Sequence, residues 1–224
     1  MIIITGSSRG IGKHIFEHFP VEEIMGIYNN TLPTDSHRRS YKLDIGCEPE
    51  VDLFFKENAS QLSNIVLINC AGISYNSVAY KADLNSWKNV VEINLFATFN
   101  MIKNVLPIMR KDNFGRIIDF SSVTAQKGVV GTSAYAASKS ALWGLAKAIA
   151  VENGDRNITI NNINLGYCEV GMIEQVPDLL KEDILRQIPN HRLCPIADVI
   201  NTVEYIISTP YLNGTSIDLN GGLF

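Results

Sequence analysis

The first twelve residues, MIIITGSSRGIG, restrict what this chain can fold into more than any other stretch. Three isoleucines run into Thr5 and Gly6, and Gly10 and Gly12 follow at once. A β-branched apolar run reads as a buried strand. Glycines at its end let the backbone turn sharply and approach a ligand with no Cβ in the way. A helix beginning near Gly10 points free N–H groups and a positive dipole end into that space, which suits a pyrophosphate. The spacing is Gly-x-x-x-Gly-x-Gly. It is not a Walker A loop, because Ser7 stands where the first glycine belongs and His14 follows Lys13 where Ser or Thr is required.

The rest of the composition narrows the classes. With 224 residues, 46 % apolar and 19 % charged, the chain buries a proper core and is not disordered. The length is compatible with one α/β domain over residues 1–224, or at most two small ones. The net charge of −4 and the lack of a dense Lys/Arg cluster argue against nucleic acid as a partner. Arg38-Arg39 reads as a pair on a solvated loop. No apolar run reaches the ~18–20 residues that span a bilayer, and the chain starts directly on a strand rather than a signal peptide. Cys47, Cys70, Cys168 and Cys194 are scattered, as expected of free thiols in a reducing cytoplasm. His14 and His18 share a helical face without an acidic companion, a surface pair rather than a metal site.

Apolar periodicity predicts helices at 11–19, 48–58, 86–111, 133–152, 177–187 and 197–208. It predicts strands at 2–5, 23–28, 41–43, 65–69, 116–121, 158–164 and 216–219. Alternating strands and helices argue for a parallel sheet covered on both faces. Ligands of such sheets bind beyond the carboxyl ends of the strands. Chemistry is therefore expected at 6–12, 29–31, 44–45, 69–72, 121–124 and 165–172.

Tyr135 and Lys139 lie four apart at the start of a predicted helix, on one face. A tyrosine of pKa ~10 is a poor acid–base group at neutral pH, and a nearby ammonium stabilises its phenolate. Ser122 ends the fifth strand at the same edge and can hydrogen-bond a substrate oxygen. Ser121, its neighbour, faces the other way in an extended strand.

Taken together, Thr5-Gly6-Ser7-Ser8-Arg9-Gly10-Ile11-Gly12, Asn69-Cys70-Ala71-Gly72, Asn94, Ser122 and Tyr135-x-x-x-Lys139 resemble the short-chain dehydrogenase/reductase family, in its order and spacings. The segment from Asn213 to Gly222 resembles the family's closing strand and turn. The resemblance implies a doubly wound Rossmann-type α/β fold, with a seven-stranded parallel sheet in the order 3-2-1-4-5-6-7 and helices on both faces. It implies a nicotinamide cofactor and four catalytic roles. Tyr135 exchanges a proton with the substrate oxygen. Lys139 lowers the Tyr135 pKa and binds the nicotinamide ribose. Ser122 polarises the carbonyl. Asn94 interrupts its helix and carries a water that links Lys139 to solvent. Gly6, Ser8, Gly10, Ile11, Gly12, Asn69, Ala71, Gly72, Gly166 and Cys168 are expected along the cofactor, and Asp44 and Ile45 beside its adenine.

No Asp or Glu ends the second strand, where Tyr28-Asn29-Asn30 stands, and Arg9 sits in the glycine loop. Asn29, Asn30 and Arg9 favour a 2′-phosphate, so NADP(H) is expected in preference to NAD(H), which stays possible. Two departures from the family pattern stand out. Cys70 replaces the second Asn of Asn-Asn-Ala-Gly. After the sixth strand, Leu165 replaces a proline and Val170 stands near the place of a cofactor-binding threonine. Residues 167–193, with Met172, Ile173, Val176, Leu179 and Leu180, are expected to form a partly apolar substrate lid. Ser74, Tyr75 and Thr124 are further candidates to face substrate. A ketone or β-ketoacyl thioester is the expected substrate, in the style of bacterial 3-oxoacyl-carrier-protein reductases. An NAD-dependent alcohol or sugar-derivative dehydrogenase and a non-catalytic dinucleotide-binding protein are the alternatives. The helices at 86–111 and 133–152 are expected to pair in a homodimer or homotetramer.

Overall fold

A computed structural model describes residues 1–223. Seven parallel strands form one sheet: β1 (Ile2–Thr5), β2 (Ile24–Tyr28), β3 (Ser40–Lys42), β4 (Val66–Asn69), β5 (Gly115–Ser122), β6 (Ile158–Leu165) and β7 (Ser216–Leu219). Their order is β3-β2-β1-β4-β5-β6-β7, as the family resemblance implied. Around it lie α1 (Gly10–His18), α2 (Glu48–Asn58), α3 (Leu84–Val91), α4 (Ala97–Asp112), α5 (Thr124–Lys127), α6 (Ser133–Asn153), α7 (Asp178–Gln187) and α8 (Ile196–Ser208).

Alternation along the strands divides the core in two. Ile3, Leu67, Ile117 and Ile160 pack with Val51, Met101, Val105 and Ala146 of α2, α4 and α6. Ile4, Ile68, Ile118 and Ile163 face Ile15 and Phe16 of α1 and Val199 and Val203 of α8. Strands buried on both faces need the unbroken apolar runs seen at β1 and β4.

Two features refine the sequence expectation. The helix that periodicity predicts over 86–111 is interrupted at Asn94, as the resemblance implied: α3 and α4 are joined by a π-helical turn at Glu92–Phe96. The widened turn adds a residue to the helical ladder, a device frequent at functional sites. The second is at the β2–β3 crossover, which carries no helix, as expected, but whose Arg38 is not solvated. Residues 29–39 cross as a loop strapped to the end of α1. Arg38 donates from Nη1 to the carbonyls of Phe16 (2.6 Å) and Phe19 (2.7 Å) and from Nη2 to that of Glu17 (2.8 Å), and it lies over the Phe16 ring. The expected solvated loop arginine is therefore a C-terminal cap, satisfying carbonyls that a helix end leaves open.

Candidate active site

The strand ends converge on the glycine turn. Gly6 and Gly10 have φ of +73° and +53°, a left-handed backbone that L side chains rarely adopt. A Cβ on Gly12 would stand 2.3 Å from the Gly6 carbonyl oxygen, and one on Gly10 3.0 Å from Cα of Gly171. The loop is thus closed against the segment after β6, and glycine is required at each place. Arg9, the residue capping α1, makes no side-chain cap bond, so the first N–H groups of the helix face outward from the turn. An uncapped helix N-terminus behind a glycine turn fits the phosphates of a dinucleotide. Thr5 secures the neighbouring turn, its Oγ1 accepting from the N–H of Cys70 (3.2 Å) and Ala71 (3.1 Å).

A cavity of about 190 Å³ opens at the same edge. Tyr135, Lys139 and Ser122 line it together with Ile11, Gly72, Gly166 and Cys168. Val123, Leu165, Val170, Met172 and Ile173 make much of the wall apolar, and Thr124 joins them. Arg9, Asn29, Asn30 and Asp44 lie exposed at the ends of β1, β2 and β3, along the edge rather than in the cavity. Ile45 is packed into the core, and its carbonyl accepts from Asn100 Nδ2 at 2.9 Å. Ser74 is exposed, and the Tyr75 hydroxyl is taken up by the N–H of Asp83 (3.0 Å) at the start of α3.

Lys139 is buried and donates from Nζ to the Phe120 carbonyl at 2.7 Å. Its Nζ lies 5.8 Å from the centre of the Tyr135 ring. A Cβ on Gly72 would meet both Asn94 Oδ1 (3.2 Å) and Lys139 Nζ (3.5 Å), so this glycine lets the two approach. The π turn places Asn94, wholly buried, to accept from the Ile73 N–H (2.8 Å) and to donate to the Ile73 carbonyl (2.9 Å) and Ser138 Oγ (3.0 Å). Ser122 Oγ accepts from the Thr124 N–H at 3.1 Å, which leaves its own proton for another acceptor. Ser121, as alternation requires, turns away and donates to the Lys139 carbonyl (3.0 Å).

The electrostatics differ from the simple expectation. Burial pushes the Tyr135 phenol up to about 12, Ser122 pulls it partly back, and Cys70 adds a small push upward. Desolvation of the phenolate is the largest of these causes. Burial also pulls Lys139 down to about 8, against the upward pull of Cys70 and Asp119.

Three further features complete the site, and only the last went unread in the sequence. Cys70 is half-buried in the cavity wall beside Gly12, its thiol pushed up to about 12 by burial. Tyr167 lines the cavity, and Cys168 pairs with Cys194 in a parallel bridge, with Cys194 N–H to Tyr167 carbonyl at 2.8 Å and Glu169 N–H to Cys194 carbonyl at 3.0 Å. That bridge ties the base of the excursion that holds α7. The third is Asp119, fully buried in β5. An acid inside the apolar run Arg116-Ile117-Ile118-Asp119-Phe120 was the available signal.

No helix among the described residues is long and apolar enough to cross a membrane. Among these residues no three His, Cys, Asp or Glu side chains gather as a metal site.

Among known proteins, a 3-oxoacyl-acyl-carrier-protein reductase of Staphylococcus aureus (strain Mu50) is 31 % identical over 238 residues, 99 % of this chain and 97 % of that protein. The Escherichia coli K12 reductase of the same name is 28 % identical over 234 residues, 99 % of this chain and 96 % of that protein. An acetoacetyl-CoA reductase of Allochromatium vinosum is 32 % identical over 161 residues, 71 % of this chain and 65 % of that protein. The family model described as short chain dehydrogenase matches residues 1–180, the stretch that carries the glycine turn, Asn94, Ser122, Tyr135 and Lys139. The chain belongs to the short-chain dehydrogenase/reductase family of oxidoreductases.

Proposed function

We propose that this protein is an NADPH-dependent reductase of 3-ketoacyl thioesters. The observation that carries the reading is the convergence of Ser122, Tyr135 and Lys139 on one apolar-walled cavity beside an uncapped glycine turn. The names of relatives that match nearly the whole chain supply the substrate class.

A nicotinamide dinucleotide bound along the strand ends supplies the hydride. Gly6, Ser8, Gly10, Ile11 and Gly12 would hold its phosphates, and Ala71, Gly72, Gly166 and Cys168 its nicotinamide half, over a β4 end that Asn69 braces. Asp44 and Ile45 would border the adenine. Arg9, with Asn29 and Asn30, would meet a 2′-phosphate, since no carboxylate at the end of β2 opposes one. Ser122 donates to the ketone oxygen. Tyr135, a phenol at neutral pH, gives that oxygen its proton as the alcohol forms. Lys139 holds positive charge beneath the developing phenolate, and Asn94 fixes the Gly72–Ile73 turn against which Lys139 rests. The excursion 167–193 would act as the lid. Met172 and Ile173 meet the cavity, while Leu179 and Leu180 on α7 are exposed and free to cover an acyl chain. Exposed Phe96 and Phe99 next to α3, and Val151 on α6, suit a homodimer or homotetramer.

The test is NADPH oxidation with acetoacetyl-CoA by the wild type and by Tyr135→Phe. The wild type should turn over. The variant should lose about 10²–10⁴-fold in kcat while binding NADPH with unchanged affinity. Substantial activity in the variant would remove Tyr135 as the proton donor.

A further inference from the structure

Under Lys139 the sheet carries an unbroken row of polar side chains. Thr5, Asn69, Asp119, Asn162 and Ser216 stand in register across five neighbouring strands, β1, β4, β5, β6 and β7. Two residues earlier the same face is apolar, with Ile3, Leu67, Ile117 and Ile160 in the core beneath α4 and α6. Asp119, at the centre of the row, is 0 % exposed. One of its oxygens accepts from Asn69 Nδ2 at 2.8 Å. The other has no partner, and neither has Asn69 Oδ1 or Asn162 Oδ1. A sealed carboxyl with an unpaired oxygen is poor packing, and a well-packed apolar residue would stabilise the sheet more. Such a group calls for a functional account.

The nearest cation supplies one. Lys139 Nζ is bonded to the carbonyl of Phe120, the residue that follows Asp119. It also rests against Gly72, three residues beyond the Asn69 that grips the carboxyl. Carboxyl and ammonium are thus both tied to the ends of β4 and β5, both buried and both shielded from salt. We propose that Asp119 is the buried counter-charge of Lys139, a positioning residue that keeps this lysine protonated at the foot of the catalytic site. The inference deepens the reductase reading and rests on it for the role of Lys139.

The groups facing this pair are few. From β4 come Asn69 and Cys70, from β6 Asn162, from the π turn Asn94, and from α6 Tyr135 and Ser138. Cys70 and Tyr135 are the two that titrate, and burial pushes both up to about 12. Cys70 raises Lys139 ahead of Asp119, yet a thiol and a phenol that keep their protons up to about 12 are neutral near 8, where Lys139 loses its own. Burial pushes Asp119 up to about 6, against Asn69 and Lys139, which pull it down. Between about 6 and 8 both members are charged, and Asp119 is the anion that faces the ammonium.

The experiment is the pH profile of kcat/KM for acetoacetyl-CoA reduction by wild type and Asp119→Asn. With the anion gone, Lys139 should deprotonate earlier. The alkaline limb should move down by about one unit, a roughly tenfold loss at pH 8.5 with little loss at pH 6. A uniform loss with the limb unmoved would overturn the proposal and leave Asp119 a structural residue. Melting temperatures of wild type, Asp119→Asn, Lys139→Met and the double variant, at pH 5 and pH 7.5, give a readout free of activity. Non-additive shifts at pH 7.5 that vanish at pH 5 support the pair, and additive shifts at both overturn it. If the wild type reduces no ketoacyl thioester while the coupling holds, the reductase reading fails and the pair stands. If activity holds and the coupling is absent, the reverse is true.

Discussion

The two directions of the reaction should show opposite pH dependences that break at the same pH. With its phenol pushed up to about 12, Tyr135 is almost wholly protonated at pH 7, and only about one molecule in 10⁵ carries phenolate. In the proposed mechanism reduction uses the phenol, so Tyr135 should impose no pH dependence on it between 6 and 9. Oxidation uses the phenolate, whose fraction rises about tenfold per pH unit. Both directions use the ammonium of Lys139, which is lost near 8. Reductive kcat/KM should therefore be flat to about pH 8 and then fall about tenfold per unit. Oxidative kcat/KM should climb about tenfold per unit to about pH 8 and then level. The ratio of the two changes tenfold per unit throughout, as a reaction that consumes one proton demands. The assay is NADPH absorbance, with acetoacetyl-CoA in one direction and 3-hydroxybutyryl-CoA in the other, from pH 6 to 10. A break near 10, the ordinary range of an exposed lysine, would refute the argument that burial sets the Lys139 proton. Ser122→Ala separates the remaining alternative. Ser122 acts on the Tyr135 proton and is absent from the groups that act on Lys139, so a break that moves in this variant would belong to the tyrosine.

Arg9 is exposed, so its contact with a 2′-phosphate is partly screened by solvent. A charge-assisted hydrogen bond at the weak end of about 1.5–3 kcal/mol corresponds to roughly tenfold in affinity. Arg9→Ala should weaken NADPH by about that factor in a fluorescence titration and leave NADH unchanged, and equal losses would remove the 2′-phosphate role. Arg38→Ala deletes three bonds to the carbonyls of Phe16, Glu17 and Phe19 and the contact with the Phe16 ring. It should cost about 2 kcal/mol, a melting temperature lower by roughly 4–8 °C. An unchanged melt would show that water replaces the cap.

What the sequence disclosed follows from the range of the physics involved. The strand–glycine–helix turn and the Tyr135–Lys139 face are local, set by residues within four positions of each other, so periodicity and steric demands reveal them directly. The π turn is local too, yet its cause is not. Asn94 is drawn inward to Ile73 and Ser138, partners 21 and 44 residues away, and uniform helical patterning over 86–111 gives no hint of it. The reading of Arg38 in the β2–β3 loop fails in the same manner. Arg38 reads as solvated because its neighbours are polar, while its partners are carbonyls at the end of a helix 19 to 22 residues back. The direction of the Tyr135 shift is the sharpest case. Spacing shows that an ammonium is near, but the sign depends on a competition between that charge and the water lost on burial. The water lost on burial is the largest cause, and it is Ser122, rather than the ammonium 5.8 Å from the ring with its Nζ committed to the Phe120 carbonyl, that pulls the phenol back. The row from Thr5 to Ser216 is a matter of register. Its members come from five separate strands, and only pairing of the strands aligns them. Asp119 was nevertheless exposed to sequence reasoning, since an acid flanked by Ile118 and Phe120 has no solvated face in a strand buried on both sides. A charge placed where folding penalises it marks a position selected for something other than stability. Here the group it serves is Lys139, one strand end away.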